Sequence, residues 1–211
     1  AGSDIFANST ITDNTGIVNL TAVDTIDHAP AAVITVGAGT VSFDAGRGIM
    51  QDGTIAAAGG TVNLTAGDQI TDVTNEATAI TAATLNILGA TQVGADVDGL
   101  VARGQQDANW LDTAVGTLNV SGVDGSVYVY ESDAVLLGAV DVALAIGEQF
   151  AVANRAADIN LGVVNAADGK VTLTFRYATP QPRPCNLIVN GSDAGRIEFA
   201  ATKSFTDWKT V

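Results

Sequence analysis

The chain has 211 residues, 47% of them hydrophobic but only 5% aromatic, and its 23 acidic against nine basic residues leave a net charge of -14. That much aliphatic material supports a sizeable core and excludes a disordered chain. An acidic surface without a basic cluster excludes a phosphate backbone as partner, and a single cysteine, Cys185, excludes an intrachain disulfide.

In chain order, the opening Ala1-Gly2-Ser3-Asp4 lacks a starting Met, a charged n-region and an apolar h-region, and reads as a processed or excised piece. A phrase then recurs: Val18-Asn19-Leu20-Thr21-Ala22, Val41-Ser42-Phe43-Asp44-Ala45 and Val62-Asn63-Leu64-Thr65-Ala66, followed by Leu85-Asn86-Ile87, in steps of 23, 21 and 23 residues. A period in the low twenties is one coil of a stacked solenoid. A second apolar point follows each phrase at Ile26, Ile49 and Ile70, and a third at Ile34, Ile55 and Ile80. Gly and Asp clusters separate these points. Three short strands per coil predict an all-β fold, a right-handed parallel β-helix. Alternation turns Val18 and Leu20 to one side and Asn19 to the other, so stacking at about 4.8 Å gathers Val18, Val41 and Val62 into one buried file. Leu20, Phe43 and Leu64 form a second.

Between Ile87 and Leu118 the spacing stretches. The segment from Gly94-Ala95-Asp96-Val97-Asp98-Gly99 through Gln105-Gln106-Asp107-Ala108-Asn109-Trp110 is predicted to leave the stack as a loop that could carry binding. Trp110 is either part of that surface or a cap on the coil beneath. The stack resumes at Leu118-Asn119-Val120 and continues through Val127-Tyr128-Val129-Tyr130, Val135-Leu136-Leu137 and Val142-Ala143-Leu144. Alternation turns Val127 and Val129 inward and leaves Tyr128 and Tyr130 side by side on an outer face, where rings either stack on sugars or serve as ordinary β formers. The apolar stretch from Val135 to Ile146 is broken by Asp141 and is too short to span a bilayer.

The phrases Gly60-Thr61-Val62-Asn63-Leu64-Thr65-Ala66-Gly67-Asp68-Gln69-Ile70, Ile80-Thr81-Ala82-Ala83-Thr84-Leu85-Asn86-Ile87, Val115-Gly116-Thr117-Leu118 and Gly125-Ser126-Val127-Tyr128-Val129 resemble filamentous-haemagglutinin-like bacterial surface proteins. The resemblance covers most of residues 10 to 165. It implies a large secreted exoprotein whose β-helical shaft is displayed at the cell surface for adhesion.

Residues 169–211 break the pattern. Gly169-Lys170-Val171-Thr172-Leu173-Thr174-Phe175-Arg176-Tyr177-Ala178, Arg183-Pro184-Cys185-Asn186-Leu187-Ile188-Val189-Asn190-Gly191, and the run from Phe199 through Phe205 and Trp208 to Val211 are similar to carbohydrate-binding modules of families 6 and 35. That similarity implies a strand, a Val-Asn-Gly hairpin and a Thr-x-x-aromatic-x-x-Trp segment, with glycan contacts at Asn190, Phe205 and Trp208. The family's opening strand and calcium-ligating acidic residues have no counterpart before Lys170, which leaves a partial module or a set of capping strands. The expected division is a β-helix over 1–168 and the module-like segment over 169–211.

Catalytic chemistry finds little support. His28, the one histidine, sits beside Pro30 and is expected in an exposed turn, without the nucleophile or second ligand that a triad or metal cluster needs. Cys185 is expected to be a buried, inert thiol. Asp96, Asp98, Asp124, Glu131, Asp133 and Asp141 could share a groove as in β-helical polysaccharide lyases, but most lie in turns, where Asp bonds locally. Turn aspartates could also collect Ca²⁺. Asn-x-Ser/Thr triplets start at Asn8, Asn19, Asn63, Asn119 and Asn190, three of them by-products of the repeat. The expected function is structural and adhesive: a non-enzymatic, secreted shaft with glycans or neighbouring copies as partners, any recognition falling to Trp110, Tyr128 and Tyr130 or to Asn190, Phe205 and Trp208. The alternatives are a filament or sheath subunit and a polysaccharide-degrading enzyme on the same fold.

Overall fold

Each coil of the recurring phrase satisfies its backbone only by lying against the next, so the repeat and the sheet are one phenomenon. The structure, a computed structural model, describes residues 3–73, 79–95, 109–132, 135–142, 150–154, 159–164, 176–177, 181–189, 192–203 and 209–211. The described residues contain strands and turns and no helix, and their larger part is a parallel β-solenoid of about five turns. Two compact units are present: Ala1–Asp98 with Gln106–Ala166, and Gly99–Gln105 with Ala167–Val211.

In the first unit the coils build three parallel ladders. Sheet I begins with β3 (Ile17–Ala22) and β6 (Thr40–Ala45). It continues through the second halves of β8 (Thr54–Ala66), β10 (Ile80–Ile87) and β12 (Leu111–Val123) to β14 (Val135–Val142) and β16 (Ile159–Val164). Sheet II stacks β1 (Ile5–Ala7), β4 (Ile26–His28), β7 (Ile49–Gln51), β9 (Gln69–Thr71), β11 (Gln92–Val93), β13 (Val127–Glu131) and β15 (Phe150–Asn154). Sheet III stacks β2 (Ile11–Asp13) and β5 (Val33–Val36) on the first halves of β8, β10 and β12, which turn the corner from sheet III into sheet I without a break.

The predicted files are the observed ones. Val18 pairs with Val41, Val41 with Val62, Val62 with Leu85, Leu85 with Leu118 and Leu118 with Leu137. Leu20, Phe43, Leu64, Ile87 and Val120 stand beside them in the same sheet. Ile26, Ile49, Ile70, Val93 and Val127 line sheet II, and Ile11, Ile34, Ile55 and Ile80 line sheet III. From the second coil to Val127 these aliphatic groups are fully enclosed, and Phe43, the one large ring among them, is 1% exposed. At about 25 cal/mol per Å², this continuous aliphatic column is the main stabilising term. Ala143 and Leu144, expected to continue the stack, lie outside the described residues.

The corner from sheet III into sheet I is made by small residues. A Cβ on Gly60 would collide with the Gly39 carbonyl oxygen, and one on Gly39 with that of Gly16. Successive corners can therefore sit at strand spacing only because these positions lack side chains. On the outer side of sheet I the amides form a ladder: Asn63 Nδ2 donates to Ser42 Oγ at 3.1 Å, Asn86 Nδ2 to Asn63 Oδ1 at 2.8 Å and Asn119 Nδ2 to Asn86 Oδ1 at 2.8 Å.

In the second unit β18 (Cys185–Val189) and β19 (Ser192–Ile197) form an antiparallel hairpin, and β17 (Arg176–Tyr177) pairs antiparallel with β20 (Lys209–Thr210).

Candidate functional site

The expected aromatic surface is assembled differently from its prediction. Alternation holds in β13, where Val127 and Val129 face the core and are fully enclosed. Tyr128 and Tyr130 point the other way but are not exposed: each is 8% accessible. The chain leaves the coil after β11 at Gly94, whose φ of 62° is a conformation that favours glycine, and Gln92 Nε2 donates to its carbonyl at 2.8 Å. The Ala95 amide donates to the Asn109 carbonyl at 2.8 Å, and the residues between them, 96–108, lie outside the described ones. Trp110, 4% accessible, then lays its ring against Tyr128 with centroids 5.6 Å apart. Trp110 is thus a cap, and the paired tyrosines are covered rather than offered to a sugar. Alternation fixes which way a side chain leaves the strand but not what it meets there. Asp96 and Asp98 lie outside the described residues.

His28 is the second correction. It is not in an exposed turn but ends β4 with its ring inside the bore, 0% accessible, because it stands two residues after the inward Ile26. Gln51, inward by the same count from Ile49, places Nε2 3.0 Å from His28 Nδ1 and donates to the Gly53 carbonyl at 2.8 Å. The imidazole meets Phe43 edge-on at 5.5 Å, and its Nε2 is buried without a hydrogen-bond partner. Burial pushes His28 below its ordinary 6.5, outweighing the opposing pull of the Gln51 hydrogen bond and the Asp27 carboxylate.

Sequence reasoning overlooked the buried Gln51, Asp52 and Asp72, and weighed Glu131 as a groove carboxylate where the structure encloses it. Asp52 accepts the Val73 amide at 3.0 Å, and Asp72 accepts the Asp112 amide at 3.3 Å across 40 residues. Glu131 is completely enclosed and accepts from Thr113 Oγ1 at 2.8 Å and the Val115 amide at 3.1 Å. The available signal was positional: Gln51 and Asp72 follow Ile49 and Ile70 by two residues, as His28 follows Ile26. These carboxylates hold backbone. Asp124 and Asp141, weighed as groove carboxylates, are exposed, while Asp133 lies outside the described residues. Among the described residues no group of three or more His, Cys, Asp or Glu side chains could hold a metal ion.

Of the module-like positions, Asn190, Phe205 and Trp208 lie outside the described residues. In sequence, Asn190 and Gly191 fall between the antiparallel strands β18 and β19, and Lys209, the residue after Trp208, donates from Nζ to the Ala201 carbonyl at 3.0 Å. Arg196 Nε and Glu198 Oε1 form an exposed ion pair at 2.6 Å. Cys185 opens β18 opposite Ile197. Among the described residues no helix is long and apolar enough to cross a membrane. No family model, curated protein or solved structure matches the chain.

Proposed function

We propose that this chain is a section of a secreted bacterial cell-surface protein, in which a rigid acidic β-helix supports glycan-binding elements in its last fifth. The observation that carries the structural half is the continuous register of Val18, Val41, Val62, Leu85, Leu118 and Leu137, a file enclosed from Val41 onward. A column of this kind holds each coil by its neighbours along one axis, which suits a spacer. The glycan half is supported by the module-like order of residues 169–211 and by the hairpin flanking Asn190. Recognition is assigned to Asn190, Phe205 and Trp208.

A glycan array probed with the full chain and with Trp208→Ala tests this reading. Binding by the parent and its loss in the variant is the expected result; no binding by either, or equal binding by both, overturns the glycan assignment.

A further inference from the structure

The outer side of sheet I carries two files of side chains that neither the core nor the proposed glycan site uses. One is Thr40, Thr61, Thr84 and Thr117, brought into line by the strand register. Two residues further on, Ser42, Asn63, Asn86 and Asn119 form the other. Four successive coils thus repeat Thr-x-Ser/Asn, where x is the enclosed Val41, Val62, Leu85 or Leu118 that anchors the backbone beneath.

Strand geometry sets the dimensions. Neighbours within a file are about 4.8 Å apart, and the two files are about 6.6 Å apart, twice the rise per residue. All eight side chains are half-buried, as on a flat sheet. They are also stiff: threonine has few χ1 choices, and the amides are pinned to one another by the ladder at 2.8–3.1 Å. Neither file contains a charge or an aromatic ring, in a chain of net charge -14.

Such a surface cannot enclose a small ligand, whose sites are concave, and it has no ring on which a sugar could stack. A partner that engages both files at once is a flat lattice of hydrogen-bonding groups with matching repeats in two directions, meeting one charge at the edge, Asp44, two residues beyond Ser42. The oxygen rows of the ice prism planes have repeats close to both spacings. We propose that the Thr/Asn face of sheet I adsorbs to ice. The hydroxyls and the outward amide groups hold water in ice-like rows, and the threonine methyls fill the gaps between them. Each contact is weak, but one rigid body presents them all together, so they add without a further ordering cost.

The test uses the full chain in thermal-hysteresis and ice-recrystallisation measurements. Wild type is expected to open a gap between melting and freezing points and to facet ice crystals. Thr61→Lys/Thr84→Lys is expected to abolish both while keeping the wild-type circular dichroism spectrum, because a long charged side chain lifts the lattice off the face. Met50→Lys, on the outer side of sheet II, is expected to keep full activity. Should the double variant misfold, Thr84→Gln breaks the flatness without adding charge and is expected to reduce the gap severalfold. Absence of hysteresis in wild type overturns the proposal, as does equal activity in a folded Thr61→Lys/Thr84→Lys, or adsorption to crystalline cellulose without any effect on ice.

Discussion

A histidine ring inside an aliphatic bore makes the molecule's stability depend on protons. His28 is held neutral by burial, and its folded pKa lies below 6.5. Below the unfolded value the unfolded chain therefore binds more protons than the native one, and stability falls with pH until the folded pKa is passed. Urea midpoints measured between about pH 7.5 and pH 5 should decline for wild type, and His28→Gln should flatten that decline; an unchanged slope in the variant would sink the assignment. Glu131 makes a complementary case. Thr113→Val preserves shape but removes the donor to an enclosed carboxylate, so it should cost about 1.5–3 kcal/mol in equilibrium unfolding, whereas a cost within error would show that the hydrogen bond is dispensable. Both groups illustrate a limit of reading sequence by residue type. His28 beside Pro30 looks like a turn residue, yet counting by two from Ile26 places it inward. Position within a file outranks chemical preference when the surrounding register is strong.

At the level of strands, the recurrence that defines sheet I was plainly legible, because the buried files and the amide ladder are consequences of one spacing. Asn86 gives to Asn63 and receives from Asn119. Asn86→Ala interrupts the ladder at its centre and should lower stability by about 1–2 kcal/mol, with Asn63 and Asn119 each losing a partner. If thermal unfolding of Asn86→Ala matches wild type, the ladder is ornament rather than support. The corner from sheet III into sheet I is stricter. Gly60→Ala drives a methyl into the Gly39 carbonyl, a backbone group that cannot step aside, and should cost about 1–3 kcal/mol or more; a fully stable variant would show that the corner has room. What the repeat could not disclose was the burial of Tyr128 and Tyr130. Trp110, which lies against Tyr128, has no counterpart in the other coils, and a unique segment offers no second copy against which to check a reading.

For the solenoid as a body, protection should follow position along the stack rather than local composition. A coil flanked on both sides has two sets of ladder hydrogen bonds and two apolar floors; an end coil has one. The difference is already visible between equivalent residues: Val18 and Leu20 are half-buried, while Val41 and Phe43, one coil on, are 0% and 1% exposed. Stability in such a chain is a sum of coil and interface terms, so local opening should begin where an interface is missing. Hydrogen exchange is accordingly expected to be fastest in β1, β2 and β3 and slowest in the facing halves of β8 and β10, with intermediate rates in β4 to β6. Phe43→Ala provides the control. It removes the largest group of the core at a cost of about 3–5 kcal/mol, and because β6 is the floor for β3 it should speed exchange in β3 more than in β10. Uniform protection across all coils, or equal acceleration in β3 and β10, would mean that the solenoid opens as one cooperative block, and the coil-by-coil account of its rigidity would have to be abandoned.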